Sequence, residues 1–150
     1  MDMITRLTQW LTQWHGWDKI RKSQADGLPE TPFSVSIRPC GVCELERHCS
    51  ILGDVIMRIR YSFLVEIRLE KSYGDKQTAL ENAEWMLQLQ YWINQQGMGA
   101  TAPRFGAGEQ KEVIKAENGT MTTVDREGMA MYQLQITVEC NQEYREEQYE

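Results

Sequence analysis

Residues 55–69, VIMRIRYSFLVEIRL, constrain the fold more than any other part of this chain. Every odd position is apolar (Val55, Met57, Ile59, Tyr61, Phe63, Val65, Ile67, Leu69), and five of the seven even positions are polar. Successive side chains of a strand point to opposite faces, so this alternation predicts one strand with one buried face. It runs well beyond the usual five or six residues. Such a strand is expected either to bend or to extend past its own core toward a neighbour.

The apolar face needs partners, and the flanking sequence supplies them. Asp2 is placed to cap a helix in which Met3, Leu7, Trp10 and Trp14 recur at helical spacing, with Ile4 and Leu11 beside them. That helix is predicted over about 3–15, ending at His15-Gly16. A polar loop containing DGLPETP follows. Phe33, Val35 and Ile37 then alternate with Ser34, Ser36 and Arg38, predicting a strand over 33–38 that 43–51 continues. Gly53-Asp54 reads as a turn. After the long strand, Ser72-Tyr73-Gly74-Asp75 forms a turn, with Asp75 capping a helix over about 76–96 that stops at Gly97. Leu80, Ala83, Leu87 and Tyr91 make one stripe of that helix; Trp85, Leu89 and Trp92 make another. The apolar arc is wider than the roughly 100° needed to lie on one core. The second stripe is therefore covered by the first helix or by another subunit.

Residues 97–110, GMGATAPRFGAGEQ, lack periodicity and predict a flexible loop. Its glycines are not followed by Gly-Lys-Ser/Thr, so it is not a phosphate loop. KEVIKAENGTMTTV reads as a hairpin closed by Asn118-Gly119, a turn that also explains the glycosylation-type triplet Asn118-Gly119-Thr120. Glu127-Gly128 turns the chain into a last strand, with Ala130, Tyr132, Leu134, Ile136, Val138 and Cys140 on its apolar face. The expected architecture is α+β: a mostly antiparallel sheet of about five strands packed with two helices. One domain spans residues 1–140, and 141–150 form an acidic tail.

The most chemical-looking stretch is PCGVCELERHC, residues 39–49, which holds three of the four cysteines and one of the two histidines. Cys40, Cys43, His48 and Cys49 are ligand types that a structural zinc accepts. Adjacent His48 and Cys49 point to opposite faces of a strand, however, and cannot share one ion. A strand–CxxC–helix arrangement at Cys40 and Cys43 would lower a thiol pKa at a helix start, in a superficial likeness to thioredoxin. No βα unit precedes it and no second βαβ half follows. Strand parity assigns Cys43, Leu45, Cys49 and Ile51 to one core-facing row, and Cys140 to another. Free cysteine behaves there as a small hydrophobe. Cys40 alone is left without a packing role. No nucleophile elbow, no zinc-protease helix motif and no acid/base carboxylate pair can be nominated. The reading is of a protein that is not an enzyme, with no catalytic, cofactor or metal residue assigned.

Composition sets the remaining bounds. Charged residues make up 25% and apolar residues 41%, as in globular chains. No apolar run is long enough to span a bilayer. The start, MDMITRLTQWLTQWHGW, lacks a basic n-region and a cleavage site, so an intracellular location with reduced thiols is expected. The net charge of −6 and the absence of a basic stripe argue against direct nucleic-acid binding.

The layout resembles the tail terminator, or tail completion, proteins of tailed bacteriophages, often grouped with phage "minor capsid" proteins. The likeness is carried by the short Trp/Leu N-terminal helix and by FSVSIRP before a variable connection. DVIMRIRYSFLVEIRLEKSYGD running into ALENAEWMLQLQYWINQQ, and the closing strand AMYQLQITVEC, complete it. It spans most of residues 1–140; the cysteines of 39–49 and the acidic tail lie outside it. The resemblance implies a virion structural protein that forms a ring, usually a hexamer, on the head-proximal end of the tail tube. Such a ring stops tube polymerisation and presents the head-joining surface. It further implies three partners: other copies of the chain, the tail tube protein, and a head-completion or connector protein. Assembly would take place in the bacterial host cytoplasm, and a tail-like particle is an equally compatible setting. The long strand, the wide-faced helix and the Gly-rich loop are the pieces expected to supply the interfaces. The alternatives are a small CxxC redox or zinc protein using Cys40 and Cys43, or another head–tail joining protein.

Overall fold

A computed structural model describes residues 2–25, 31–70, 76–98, 102–124 and 129–144. Asp2 accepts a hydrogen bond from the Thr5 backbone N–H at 2.8 Å and opens helix α1, Met3–Leu11. The same two bonds from Thr5, backbone and hydroxyl, hold the Asp2 carboxyl below its usual pKa. The α-helix ends four residues earlier than its apolar spacing predicts. The chain turns at Thr12, and a 3-10 helix, His15–Lys19, carries Trp17 inward. Gly16 lies directly under the Trp14 ring, where a side chain would collide. Its carbonyl accepts a hydrogen bond from Trp85 Nε1 at 2.8 Å. The tryptophans, not a helix terminator, set this corner.

The strands are β1, Lys22–Gln24; β2, Ser34–Cys49; β3, Val55–Glu70; β4, Val113–Val124; and β5, Met129–Tyr144. They form one sheet in the order β1-β2-β3-β5-β4, antiparallel throughout except for the parallel β1–β2 pair. Helix α2, Lys76–Gly97, and α1 cover one face. The protein is therefore α+β, a five-stranded, mostly antiparallel mixed sheet packed against two helices. The predicted turn at 72–75, the Glu127-Gly128 turn and residues 145–150 lie outside the described residues.

The core is built on the predicted parity of the two long strands. Phe63, Val65, Ile67 and Leu69 of β3 and the even residues 130–140 of β5 are buried beneath Leu89 and Ile93 of α2 and Leu7 and Leu11 of α1. Trp10 lies 5.0 Å from Trp92 and Trp14 5.2 Å from Trp85, centroid to centroid, so α1 and the segment after it cover the tryptophan stripe of α2. Each buried side chain of this size contributes about 1.5–3 kcal/mol relative to exposure.

Several expectations fail for identifiable reasons. Phe33 is not a strand residue: it takes φ 58°, while its N–H donates to Arg68 O and its carbonyl accepts from Arg21 N. Ser34 and Ser36 are buried along with Val35 and Ile37, so both faces of β2 are covered at that end. The stretch 113–124 is one strand rather than a hairpin. Asn118, at φ 60°, and Gly119 form a register shift between Glu117 and Thr120, and the chain does not reverse. Asn118 supplies left-handed backbone for a bulge as readily as for a turn. The last strand continues through Asn141, which is buried, to Tyr144.

The described part of the Gly-rich loop is tied to the sheet. Phe105 is buried, and the Phe105 and Gly106 N–H groups donate to the Glu112 carboxylate at 2.7 and 3.0 Å. Ala107 N–H donates to Asn141 O at 2.7 Å, and Arg6 reaches the Arg104 carbonyl at 2.6 Å. This loop roofs the sheet where the helices end.

Candidate functional site

Three of the strands continue beyond the helical layer. Val113, the first residue of β4, is level with Glu139 of β5, which is level with Arg60 of β3. β3 begins five residues further out, at Val55 opposite Tyr144. At about 3.4 Å per residue the β2–β3 hairpin thus projects about 17 Å past the start of β4.

Two bulges decide what this extension displays. The β2–β3 register shifts between Pro39 and Gly41, and again between Glu44 and Glu46. Cys40 and Leu45 are the extra residues. After the first shift, Val42 and Glu44 share the face of Tyr61 and Ile59; after the second, Arg47 and Cys49 share that of Met57 and Val55. Cys43 consequently stands with Arg60 on the open face, away from the helices. Cys49 keeps the expected face, but the core does not reach it. Cys40, Cys43 and Cys49 are all exposed, and only Cys140 is buried. The core-facing row of Cys43, Leu45, Cys49 and Ile51 is therefore overturned, because a uniform parity does not survive a bulge.

The same geometry relocates the candidate chemistry. β2 passes unbroken through Cys40 and Cys43 to Cys49, so neither thiol sits at a helix N-terminus. Among the described residues no group of three or more His, Cys, Asp and Glu side chains is placed to hold a metal. His48 pairs with Glu46 at 3.2 Å on the exposed strand. His15 lies at the start of the 3-10 helix, against Trp14. Burial, with Glu112 adding to it, pushes the Cys140 thiol up to about 11.

The hairpin tip is a defined turn carrying two aliphatic side chains. Ser50 N–H donates to Asp54 O at 2.8 Å, Asp54 N–H to Ser50 Oγ at 3.1 Å, and Gly53 takes φ 92°. Ile51 and Leu52 are held out on this turn, and Ile51 is fully exposed. Val42, Leu45 and Ile56 are also exposed along the extension.

A second apolar surface lies on α2. Leu80, Leu87, Tyr91 and Met98 are 62–72% exposed. At 100° per residue they fall within a sector of about 40°, opposite Leu89 and Ile93. This is the first predicted stripe without Ala83, which is exposed but off its centre; the Trp85–Leu89–Trp92 stripe is the buried one. The neighbouring edge of β4 is closed by α2. Asn94 Nδ2 donates to Ala116 O at 3.1 Å, Ala116 N–H donates to Asn94 Oδ1 at 2.8 Å, and Gly119 N–H donates to Gln90 Oε1 at 3.2 Å. Between the end of α2 and the start of β4 is a cleft of about 370 Å³, whose lining includes Asn94, Gly97, Met98, Val113 and Ile114. The over-wide apolar arc was legible in the sequence, but not which stripe stays open: the tryptophan stripe is covered by α1, and the Leu80–Leu87–Tyr91 stripe is the one left exposed. The cleft was not legible, because it depends on the depth to which Gly97 lets α2 settle.

No family model matches this chain, and no curated protein matches it either.

Proposed function

We propose that this protein is a structural component of a phage tail or tail-like particle. It caps the head-proximal end of the tail tube, stops its growth and forms the surface that joins the head. The observation that carries this reading is the pair of non-equivalent apolar surfaces on one small domain: an extended hairpin with an aliphatic tip, and the outer stripe of α2 beside a cleft. A closed ring requires two different patches on every subunit, each seating on the next. Solitary domains rarely keep several large aliphatic side chains exposed in line. The order of elements and their lengths, which resemble the tail terminator proteins, support the same reading. The expected partners are other copies of the chain, the tail tube subunit and a head-completion or connector protein. The described part of the Gly-rich loop docks on the chain's own sheet through Phe105 and Gly106 and leaves 108–110 outward as its available surface.

The test is to add the purified chain to its cognate tail tube subunit during polymerisation and measure tube lengths by electron microscopy. The proposal expects short tubes with density at one end. Tubes that grow as they do without the chain, with all of it left unbound, would count against the proposal. Attachment to heads alone would favour a different joining protein.

A further inference from the structure

We propose that the Ile51–Leu52 tip of one copy seats in the cleft between α2 and β4 of a second copy, making a head-to-tail contact. This rests on the assembly reading and names the surfaces that carry it. Three observations on the molecule support it.

The tip cannot occupy its own cleft. The ladder from Val55 to Arg60 holds the turn at the end of the β2–β3 pair, and the cleft lies at the opposite edge, beyond β5. Folding back would break that ladder. The tip can therefore meet such a cleft only on another molecule.

The two surfaces match in kind. Ile51 and Leu52 are short aliphatic anchors on a hydrogen-bonded turn, so little loop entropy is lost when they bind. The cleft offers Met98, Val113 and Ile114, and the Leu87–Tyr91 stripe continues from its mouth along α2.

The charges are compatible. Lys111 and Lys115 are exposed at the cleft, while Glu112 is turned into its own loop by two backbone N–H donors; Glu117 lies at the far end. The tip turn contributes Asp54. Because the cleft's edge of β4 is sealed by Asn94, side chains make this contact rather than an added strand.

The experiment is sedimentation from micromolar to millimolar concentration with three proteins: the natural chain, a tip variant (Ile51→Asp with Leu52→Asp) and a cleft variant (Met98→Arg). All substituted positions are exposed, and a thermal melt checks that each variant is folded. The natural chain should gain mass with concentration, and each variant alone should stay monomeric. An equimolar mixture of the two variants should give a dimer and nothing larger, since only one intact tip and one intact cleft can meet. A natural chain that stays monomeric, a tip variant that assembles like it, or a mixture that stays monomeric would each overturn the inference. A second measurement avoids charged substitutions. With Cys40, Cys43 and Cys49 changed to Ser, Leu52→Cys together with Met98→Cys should give a covalent ladder on mild oxidation; an absent ladder overturns the contact. Tube capping is scored separately. Capping by a chain that fails these tests sinks the contact alone. A chain that passes them but leaves tube growth unchanged sinks the assembly reading alone.

Discussion

Replacing Gly97 with alanine probes how closely α2 lies on β4. Gly97 closes α2, yet its φ is outside the left-handed region, so it is not the usual glycine terminator. It is glycine because of Ile114. A Cβ at Gly97 would overlap the Ile114 carbonyl oxygen and lie 3.2 Å from both its carbonyl carbon and its Cβ. The collision is with backbone, so no rotamer change relieves it. Alanine's better helix propensity returns about 1 kcal/mol at most. Overpacking costs about 1–3 kcal/mol. To make room, α2 must lift away from β4, and the clamp of Asn94 on Ala116, at 2.8 and 3.1 Å, has little slack. A shift of about 0.5 Å takes both bonds beyond good N–H···O distance. Losing them adds about 1–3 kcal/mol. The expected net loss is about 2–4 kcal/mol. At about 2–4 °C per kcal/mol for a chain of this size, that lowers the melting midpoint by roughly 4–16 °C. Tryptophan fluorescence reports the transition, since Trp85 and Trp92 sit on the same helix. The control is Gly108→Ala, at φ 79° with open space around it, where only a left-handed backbone cost of about 1–2 kcal/mol applies. A Gly97→Ala protein as stable as the natural chain would refute the close-approach argument.

Asn94→Ala should destabilise by about 1–3 kcal/mol, and by less in the Gly97→Ala background, because both changes release the same two Ala116 bonds; equal costs in the two backgrounds would count against a shared clamp. Native protein should titrate three of its four thiols with an aromatic disulfide reagent, Cys40, Cys43 and Cys49, and release the fourth, Cys140, only on unfolding. The Cys140 thiol is raised from 9.0 to about 11 in the fold, so its contribution to stability is complete below pH 9 and is lost as pH climbs toward 11. That loss is on the order of 2 kcal/mol in urea titrations and should be absent in Cys140→Ala. Deleting Cys40 and Leu45 together removes both bulge residues while keeping the flanking register pairs. The variant should fold but aggregate through its flattened edge, and light scattering as low as that of the natural chain would argue against the bulges as edge protection.

The features legible in the sequence are those governed by an uninterrupted period. The alternation of 55–69 and 130–140 gives the two long paired strands and their core-facing parity, because those strands pair in register over their whole length, although β5 runs on to Tyr144 and the core stops short of Val55 and Met57. The 3.6-residue period of 76–96 locates α2 and shows that its apolar arc is too wide for one core. Reasoning from period fails wherever one residue is inserted. Cys40 and Leu45 each reset the parity of β2, and Asn118-Gly119 does the same in β4. Composition alone does not distinguish a bulge from a turn, since both use the same left-handed residues. The cysteines of 39–49 were misassigned because the bulges at Cys40 and Leu45 use no left-handed residue and leave no mark in the composition. The end of α1 was misplaced for another reason: its periodic tryptophans continue past Leu11, but the chain must bend for Trp14 and Trp17 to reach Trp85.

The sheet treats its two exposed flanks differently, and the difference bears on how the molecule associates. The β4 flank is closed by side-chain amides of α2, which occupy the backbone groups of Ala116 and Gly119 that an incoming strand would use. Among the described residues, β1 pairs with the β2 flank at Ser34–Ser36 alone. Beyond that the flank relies on Pro39, two bulges and the charges of Glu44, Glu46 and Arg47, all of which discourage edge-to-edge pairing. Backbone association is thus blocked by side chains on one flank and discouraged along the other. Apolar side chains, meanwhile, are left standing on the hairpin tip and on the outer stripe of α2. A fold arranged in this way resists indiscriminate strand addition while free. It keeps its binding energy in side-chain contacts, which depend on shape and so select one partner surface and one orientation.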